Sequence, residues 1–125
     1  MSADPKLWWS RRDLSRKKRK DIVTPALQRL QHARDRDRLP HALLLIGPAG
    51  LGRELAAVEA AALLVCDESA EPWNENGCAK RIRDGVHPDV TAVLPMGAAQ
   101  IITIKQVRKI VDDAPGRPYE GLRRV

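Results

Sequence analysis

The chain has 125 residues, 43% of them hydrophobic and 30% charged, which allows one globular domain and excludes two. Its net charge is +6, and no apolar stretch approaches the roughly 18–20 residues that span a bilayer, which argues against a membrane protein. The N-terminus has no apolar segment of the kind that a secretory signal needs. Two cysteines, Cys66 and Cys78, are too few for a disulfide framework, so we expect a cytoplasmic protein with inert, partly buried thiols.

The first 20 residues carry the whole excess of positive charge. They hold eight basic and two acidic side chains, and the rest of the chain holds fourteen of each. Because clustered like charges oppose compact structure, we predict a disordered basic leader over residues 1–20, followed by a domain over residues 21–125. The leader is either a solvated tail or a nucleic-acid contact that neutralises phosphates. The candidate contacts are Arg11, Arg12, Arg16, Lys17, Lys18, Arg19 and Lys20.

The first half of the domain alternates a helix, an apolar run and a second helix. Thr24 and Pro25 predict the start of a helix, because threonine caps free N–H groups and proline suits the first helical position. Pro40 ends this helix. The continuous apolar run over residues 41–46 is typical of a strand buried in a parallel sheet. Residues 53–66 are rich in alanine and predict a helix.

The second half repeats the pattern. Residues 90–94 (Val-Thr-Ala-Val-Leu) predict a second strand, and residues 123–125 resemble the start of another. Between them, Thr103 is the predicted cap of a helix over residues 104–113. Its apolar residues are expected to face the core: Ile104, Val107, Ile110 and Val111. The alternation predicts an α/β fold, an incomplete parallel sheet with flanking helices.

A glycine-rich loop joins the first predicted strand to the alanine-rich helix. It comprises Gly47, Pro48, Ala49, Gly50, Leu51, Gly52, Arg53 and Glu54. The glycine spacing fits the phosphate-binding pattern G-x-x-x-x-G-K-[ST], but Arg53 replaces the lysine and Glu54 replaces the hydroxyl residue. The planar guanidinium does not substitute well for a compact ammonium, and a carboxylate cannot donate to phosphate. We therefore expect no catalysis and at most weak ATP binding; the alternative is that Glu54 itself ligates magnesium.

Several separate stretches together point to one family. Leu39-Pro-His-Ala precedes the glycine loop and His87-Pro-Asp follows the alanine-rich helix; residues 101–108 and 118–125 come later. In order and spacing these stretches resemble the N-terminal AAA+ module of bacterial DNA polymerase III clamp-loader subunits, of the delta-prime type. The resemblance covers residues 21–125 and implies an AAA+ P-loop NTPase-like sheet that ends before the Walker B strand.

The resemblance also implies a function and a set of partners. Such a subunit is non-catalytic and helps to load the sliding clamp onto primed DNA during DNA replication. Its partners are the other AAA+ subunits, gamma/tau and delta, and it reaches the clamp and the DNA through the complex. Two alternatives stay open: an active P-loop ATP-binding protein or ATPase, and a nucleic-acid-binding protein that acts through the basic leader.

One departure from the family concerns metal. These subunits usually carry a four-cysteine zinc site after the loop helix, whereas only Cys66 and Cys78 stand in that region here. A structural zinc site needs four ligands, so we expect neither zinc nor any other cofactor. His87 and Asp89 have no evident nucleophile or dyad partner, and Pro88 indicates a turn. We interpret both as turn and cap residues and not as acid–base groups.

Overall fold

Four α-helices make up the regular structure of the described residues, which are 16–48, 52–66 and 77–125 of a computed structural model. In chain order they are α1 (Arg16–Asp35), α2 (Arg53–Val65), α3 (Gly77–Arg83) and α4 (Ile104–Asp113). Side chains are described from Asp21 onward, apart from Ile22. Within this part of the chain, no helix combines the length and the apolar character needed to cross a bilayer.

α1 begins earlier than its capping signal predicts. It starts at Arg16, and Pro25 lies inside it and not at its first turn. An internal proline removes a helical hydrogen bond and costs about 3 kcal/mol. Val23 and Leu27, on either side of Pro25, are 5% and 2% exposed and belong to one apolar cluster with residues of α2. Burial of Val23 and Leu27 against α2 offsets the cost of the internal proline. The helix therefore continues through Thr24 and does not begin there.

α2 is the central helix, and its boundaries agree with the predicted helix to within one residue. Nine of its thirteen residues are buried, as expected for a helix covered on several sides. Ala56 and Ala60 share a cluster with α1. Val58, Ala61 and Val65 share a second cluster with α3. Small alanine side chains let both neighbours approach the α2 backbone closely.

The predicted parallel sheet is wrong for the described residues, which contain helices and no strand. Residues 42–48 and 90–95 have no regular secondary structure, and an isolated antiparallel bridge joins Met96 to Ile101. Thr91 and Asp89 each share one backbone hydrogen bond with Val125, both at 2.9 Å. A strand needs a ladder of such bonds along its length. The apolar runs indicated a tendency to be buried but could not supply a partner strand.

α4 has the predicted boundaries and the predicted cap. The Thr103 hydroxyl accepts the Gln106 backbone N–H at 3.3 Å, and the Gln106 side-chain Oε1 accepts the Thr103 backbone N–H at 2.9 Å. This reciprocal capping box satisfies two donors at the helix start. The expectation that its apolar face points inward is wrong, because no residue of α4 is buried. Periodicity defined the apolar face, but nothing in the described residues covers it.

Candidate functional site

The glycine loop is described at both ends, whereas Ala49, Gly50 and Leu51 lie outside the described residues. Gly52 precedes α2 with φ +97°, in the left-handed region that favours glycine. Its carbonyl accepts the Ala56 N–H at 2.8 Å, which is the first hydrogen bond of the helix. The glycine at this point therefore serves the turn from the loop into α2.

Arg53 folds back onto the loop that precedes it. Its Nη1 donates to the Gly47 carbonyl at 3.0 Å, and its Nη2 lies 3.5 Å from Glu54 Oε1. The two side chains are 43% and 33% exposed, so their ion pair contributes little to stability. The contacts still orient Arg53, because Glu54 offsets part of the guanidinium charge and the Gly47 carbonyl engages one of its donors. Glu54 also lies in the first turn of α2, where a negative charge is favourable.

A second site forms where two distant motifs meet. Asp89 is 1% exposed and accepts three backbone N–H groups about thirty residues downstream in the chain. The donors are Tyr119 to Oδ1 at 2.6 Å, Glu120 to Oδ2 at 2.9 Å and Gly121 to Oδ2 at 2.7 Å. Burial by itself would raise the pKa of Asp89, but these three bonds and the nearby His87 hold it below its ordinary value of 3.8. Asp89 is therefore an ionised cap for residues 119–121.

Gly121 allows this segment to reach α2. A Cβ at Gly121 would lie 2.5 Å from Val65 Cγ1 and 3.0 Å from the Val65 carbonyl oxygen. The next residue, Leu122, donates its N–H to that same carbonyl at 2.8 Å. Only a residue without a side chain fits at this crossing.

The C-terminal carbonyls of α2 are bound from three directions. Arg34 Nη1 donates to Leu63 at 2.9 Å, Arg123 Nη1 to Leu64 at 3.5 Å, and the Leu122 N–H to Val65 at 2.8 Å. The last carbonyls of a helix have no partner inside the helix and need one elsewhere. Here α1 and residues 122–123 supply those partners, so this end of α2 anchors the site.

His87 is 4% exposed, and its hydrogen bonds define its tautomer. Nδ1 accepts the Asp89 N–H at 3.1 Å, so in the neutral ring the proton lies on Nε2. Nε2 is 3.1 Å from Glu120 Oε1 and 3.5 Å from Cys78 Sγ. Glu120 also pairs with Arg81 on α3. His87 is thus a hydrogen-bond donor between two acceptors, in the turn that its motif predicted.

Cys66 and Cys78 form a disulfide, with their Cα atoms 5.9 Å apart. The bond joins the end of α2 to the start of α3, so the prediction of two free thiols is wrong. Counting cysteines could not show that the two helix ends meet. The described residues contain no group of three or more His, Cys, Asp and Glu side chains placed to hold a metal ion. That zinc and other cofactors are absent stays a prediction.

A buried ion pair links α2 to α3 and was missed by the sequence analysis. Arg83 Nε donates to Glu59 Oε1 at 2.7 Å and Arg83 Nη2 to Glu59 Oε2 at 3.0 Å. The side chains are 0% and 5% exposed for Glu59 and Arg83. The available signal was a glutamate on the apolar helix that follows the loop, because a buried carboxylate requires a cationic partner.

The candidate nucleic-acid contacts lie at the edge of the described residues. Arg11 and Arg12 are outside them. The other five, from Arg16 to Lys20, form the first turns of α1, and their side chains are not described. The assignment of these cations to a nucleic-acid surface stays a prediction.

Comparison with known proteins places the chain in context. A family model described as DNA polymerase III, delta subunit, matches residues 22–125. The chain is 36% identical over 85 residues to DNA polymerase III subunit delta' of Pseudomonas aeruginosa, covering 66% of this chain and 24% of that protein. It is 35% identical over 85 residues to the protein of the same name from Bacillus subtilis, covering 67% and 26%. The chain therefore spans about a quarter of the length of these curated relatives. No solved structure matches it significantly.

Proposed function

The chain belongs to the DNA polymerase III delta subunit family, and on that premise we propose that it acts as a delta-prime-like, non-catalytic part of a bacterial clamp loader. In this role it helps a cytoplasmic complex to load the sliding clamp onto primed DNA. Its direct partners are the sister AAA+ subunits gamma/tau and delta. The curated relatives are named as delta' subunits of DNA polymerase III, which supports this choice within the family.

The contact of Arg53 with its own glycine loop is the observation that supports a non-catalytic role. A working loop uses its lysine to neutralise the β- and γ-phosphates and its hydroxyl to hold magnesium. Here Arg53 is bound to the Gly47 carbonyl at 3.0 Å and lies 3.5 Å from the Glu54 carboxylate. A nucleotide would have to break both contacts and accept a carboxylate beside its own phosphates. ATP is then a weak ligand at most, and the loop serves to turn the chain into α2.

Calorimetry on the full chain tests this proposal. We expect no detectable heat with millimolar ATP and magnesium, and no release of phosphate. A variant with Arg53→Lys and Glu54→Thr restores the pattern of an active loop and should gain ATP binding. The matched control is Arg108→Lys with Asp112→Thr, on the exposed surface of α4, which should change nothing.

Two outcomes would contradict the proposal. If the parent chain hydrolysed ATP and Arg53→Ala abolished the hydrolysis, the loop would be active. If the restored variant bound ATP no better than its parent, the two replaced residues would not explain the weak binding. Co-purification with gamma/tau and delta, followed by a clamp-loading assay on primed DNA, tests the partners separately.

Nucleic-acid binding by the leader is a second candidate, favoured by the concentration of eight basic residues in the first 20. Since α1 begins at Arg16, the test variant removes residues 1–15 and replaces the five basic residues from Arg16 to Lys20 by glutamine, which keeps the helix propensity. Loss of affinity for primer–template DNA in that variant, with a weaker salt dependence, would support the candidate. An unchanged affinity would exclude a contact through residues 1–20.

A further inference from the structure

The disulfide lies beside His87, whose Nε2 is 3.5 Å from Cys78 Sγ. We propose that Cys66 and Cys78 form a reversible redox site, in which Cys78 exchanges with low-molecular-weight thiols and disulfides and His87 positions its thiolate. The redox site would function whether or not the chain acts in a clamp loader. The two sulfurs have unequal surroundings, and the hydrogen bonds of the imidazole favour one of them.

The two sulfurs differ in access. Cys66 is 3% exposed and belongs to the apolar cluster between α2 and α3, whereas Cys78 is only partly buried and packs at its border. An attacking thiolate must reach a sulfur along the S–S axis, so the less buried sulfur is attacked more readily. In the reduced pair, the apolar surroundings of Cys66 favour its neutral thiol, so the thiolate of the pair is the one on Cys78. Cys78 is therefore the exchanging sulfur and Cys66 the resolving one.

The exchange balances with two equivalents of external thiol. The first thiolate bonds to Cys78 Sγ and breaks the Cys66–Cys78 bond, and Cys66 leaves as a thiolate that takes a proton from solvent. The second thiolate attacks the external sulfur of the mixed disulfide and releases Cys78 as a thiolate. Two external thiols are oxidised to one disulfide, and the protein disulfide is reduced by two electrons. Oxidation by a low-molecular-weight disulfide is the reverse sequence.

His87 is the group that receives the Cys78 thiolate. Its Nδ1 accepts the Asp89 N–H at 3.1 Å, so Nε2 carries the proton and lies 3.5 Å from Cys78 Sγ. In the disulfide state sulfur is a weak acceptor, and Glu120 Oε1 at 3.1 Å takes most of this bond. A thiolate is a stronger acceptor and competes for the same proton. Glu120 is 42% exposed, so it can turn to solvent and release the N–H to sulfur.

The charged groups around His87 have opposing effects on a thiolate at Cys78. The Glu120 and Asp89 carboxylates disfavour a nearby thiolate, while Arg81 on α3 pairs with Glu120 and offsets part of its charge. The hydrogen bond from Nε2 is thus the specific contact that favours the thiolate over the thiol. Glu120 lies within the segment that Asp89 caps, so the redox state of the cysteines also alters a contact of residues 119–121.

Trapping experiments on the full chain test which sulfur exchanges. Cys66→Ser and Cys78→Ser are each incubated with oxidised glutathione, and the mixed disulfide is followed by mass spectrometry. We expect Cys78 in the first variant to react about tenfold faster than Cys66 in the second, because of its access and its hydrogen bond. Equal rates would overturn the assignment of Cys78. A parent disulfide that stayed closed in a large excess of reduced glutathione would overturn the reversible site.

Substitutions of His87 in the Cys66→Ser background test the positioning role. Asparagine keeps an acceptor for the Asp89 N–H but lacks the Nε2 donor, whereas glutamine can place a donor near the Nε2 position. We expect His87→Asn to slow iodoacetamide alkylation of Cys78 about tenfold at neutral pH and to move its pH midpoint upward, and His87→Gln to restore much of the rate. A pH profile unchanged in His87→Asn would overturn the role of His87.

Glu120→Gln provides a measurement that does not alter the imidazole. Removing the competing carboxylate should speed alkylation of Cys78 severalfold, because the N–H is then freer for sulfur and a negative charge is lost. Circular dichroism confirms that each variant keeps its helices. If His87→Asn failed to fold, Glu120→Gln would still decide the question, since an unchanged or slower rate would contradict the competition for Nε2.

Discussion

The backbone N–H of Gly121 donates to the carboxylate of Asp89 at 2.7 Å, and this bond joins two motifs that are 32 residues apart. Gly121 also lies against Val65 at the end of α2, with no room for a side chain. The same short segment therefore holds the His87-Pro-Asp turn and caps α2.

Gly121→Ala should destabilise the protein by about 1–3 kcal/mol, the usual cost of forcing an extra methyl group into a packed site. The new Cβ would overlap Val65 Cγ1 and crowd the Val65 carbonyl. Urea unfolding followed by circular dichroism measures the change. Gly77→Ala is the matched control, because a Cβ there meets nothing within 4 Å, and it should stay within about 0.5 kcal/mol of the parent.

Asp89→Asn should cost about 1.5–3 kcal/mol at neutral pH, because charge-assisted hydrogen bonds from three buried N–H groups are lost or weakened. An asparagine side chain offers one acceptor oxygen and turns an NH₂ group toward donors. The measurement is the free energy of unfolding in urea. The control is Asp84→Asn, which removes an exposed ion pair with Lys80 and should have little effect. Equal losses in both variants would contradict a special role for Asp89.

Acidification should weaken the same junction. The folded-state pKa of Asp89 lies below its ordinary value of 3.8, so its contribution to stability is complete above that pH and is lost as pH falls through the folded value. The difference in stability between the parent and Asp89→Asn should therefore shrink below about pH 3.8. Urea titrations of both proteins from pH 6 downward measure it. A difference that grew on acidification would show that the pKa is raised and not lowered.

Removing one partner of the Glu59–Arg83 pair should lower the free energy of unfolding more than replacing both partners by apolar residues. Glu59→Leu or Arg83→Met leaves a buried partner without its opposite charge, at a cost of about 3–5 kcal/mol. The double variant Glu59→Leu with Arg83→Met removes both charges and should recover much of this loss. A double-mutant cycle from urea unfolding gives the coupling. Additive losses would mean that the two side chains act independently.

Reducing the disulfide should lower stability by about 3 kcal/mol, the value expected from chain entropy for a loop closed over 12 residues of separation. Unfolding curves with and without dithiothreitol measure the effect. Cys66→Ser with Cys78→Ser should match the reduced parent and no longer respond to reductant. A response of the double variant to dithiothreitol would point to a cause other than this bond.

Local signals predicted two helices well. α4 follows from Thr103 and Gln106, whose reciprocal hydrogen bonds involve neighbouring residues only. α2 follows from a run of strong helix formers after a glycine turn. Both predictions succeeded because helix formation depends mostly on residues within a few positions. The start of α1 failed for the converse reason, since burial of Val23 and Leu27 against α2 outweighs the local preference of Pro25.

The interactions that organise the candidate sites connect residues far apart in the chain, and a single sequence does not display them. The Asp89 cap on residues 119–121 and the Glu59–Arg83 pair each depend on elements that meet only after folding. The pairing of Cys66 with Cys78 could not be predicted either, because the two residues meet only when the ends of two helices come together. Arg53 and Glu54 could be recognised as departures from a phosphate loop, but the contact with Gly47 could not.

The amino-acid sequence by itself determined the helices with strong local signals, the glycine turn into α2, the altered loop chemistry and the family. Tertiary structure alone decided that the apolar runs do not pair as strands in the described residues, that α4 keeps its apolar face exposed and that Cys66 meets Cys78. The physical reason is the separation along the chain over which each interaction acts. Propensity and capping act over one helical turn, whereas pairing, burial and disulfide formation require a partner that only the folded chain brings into contact.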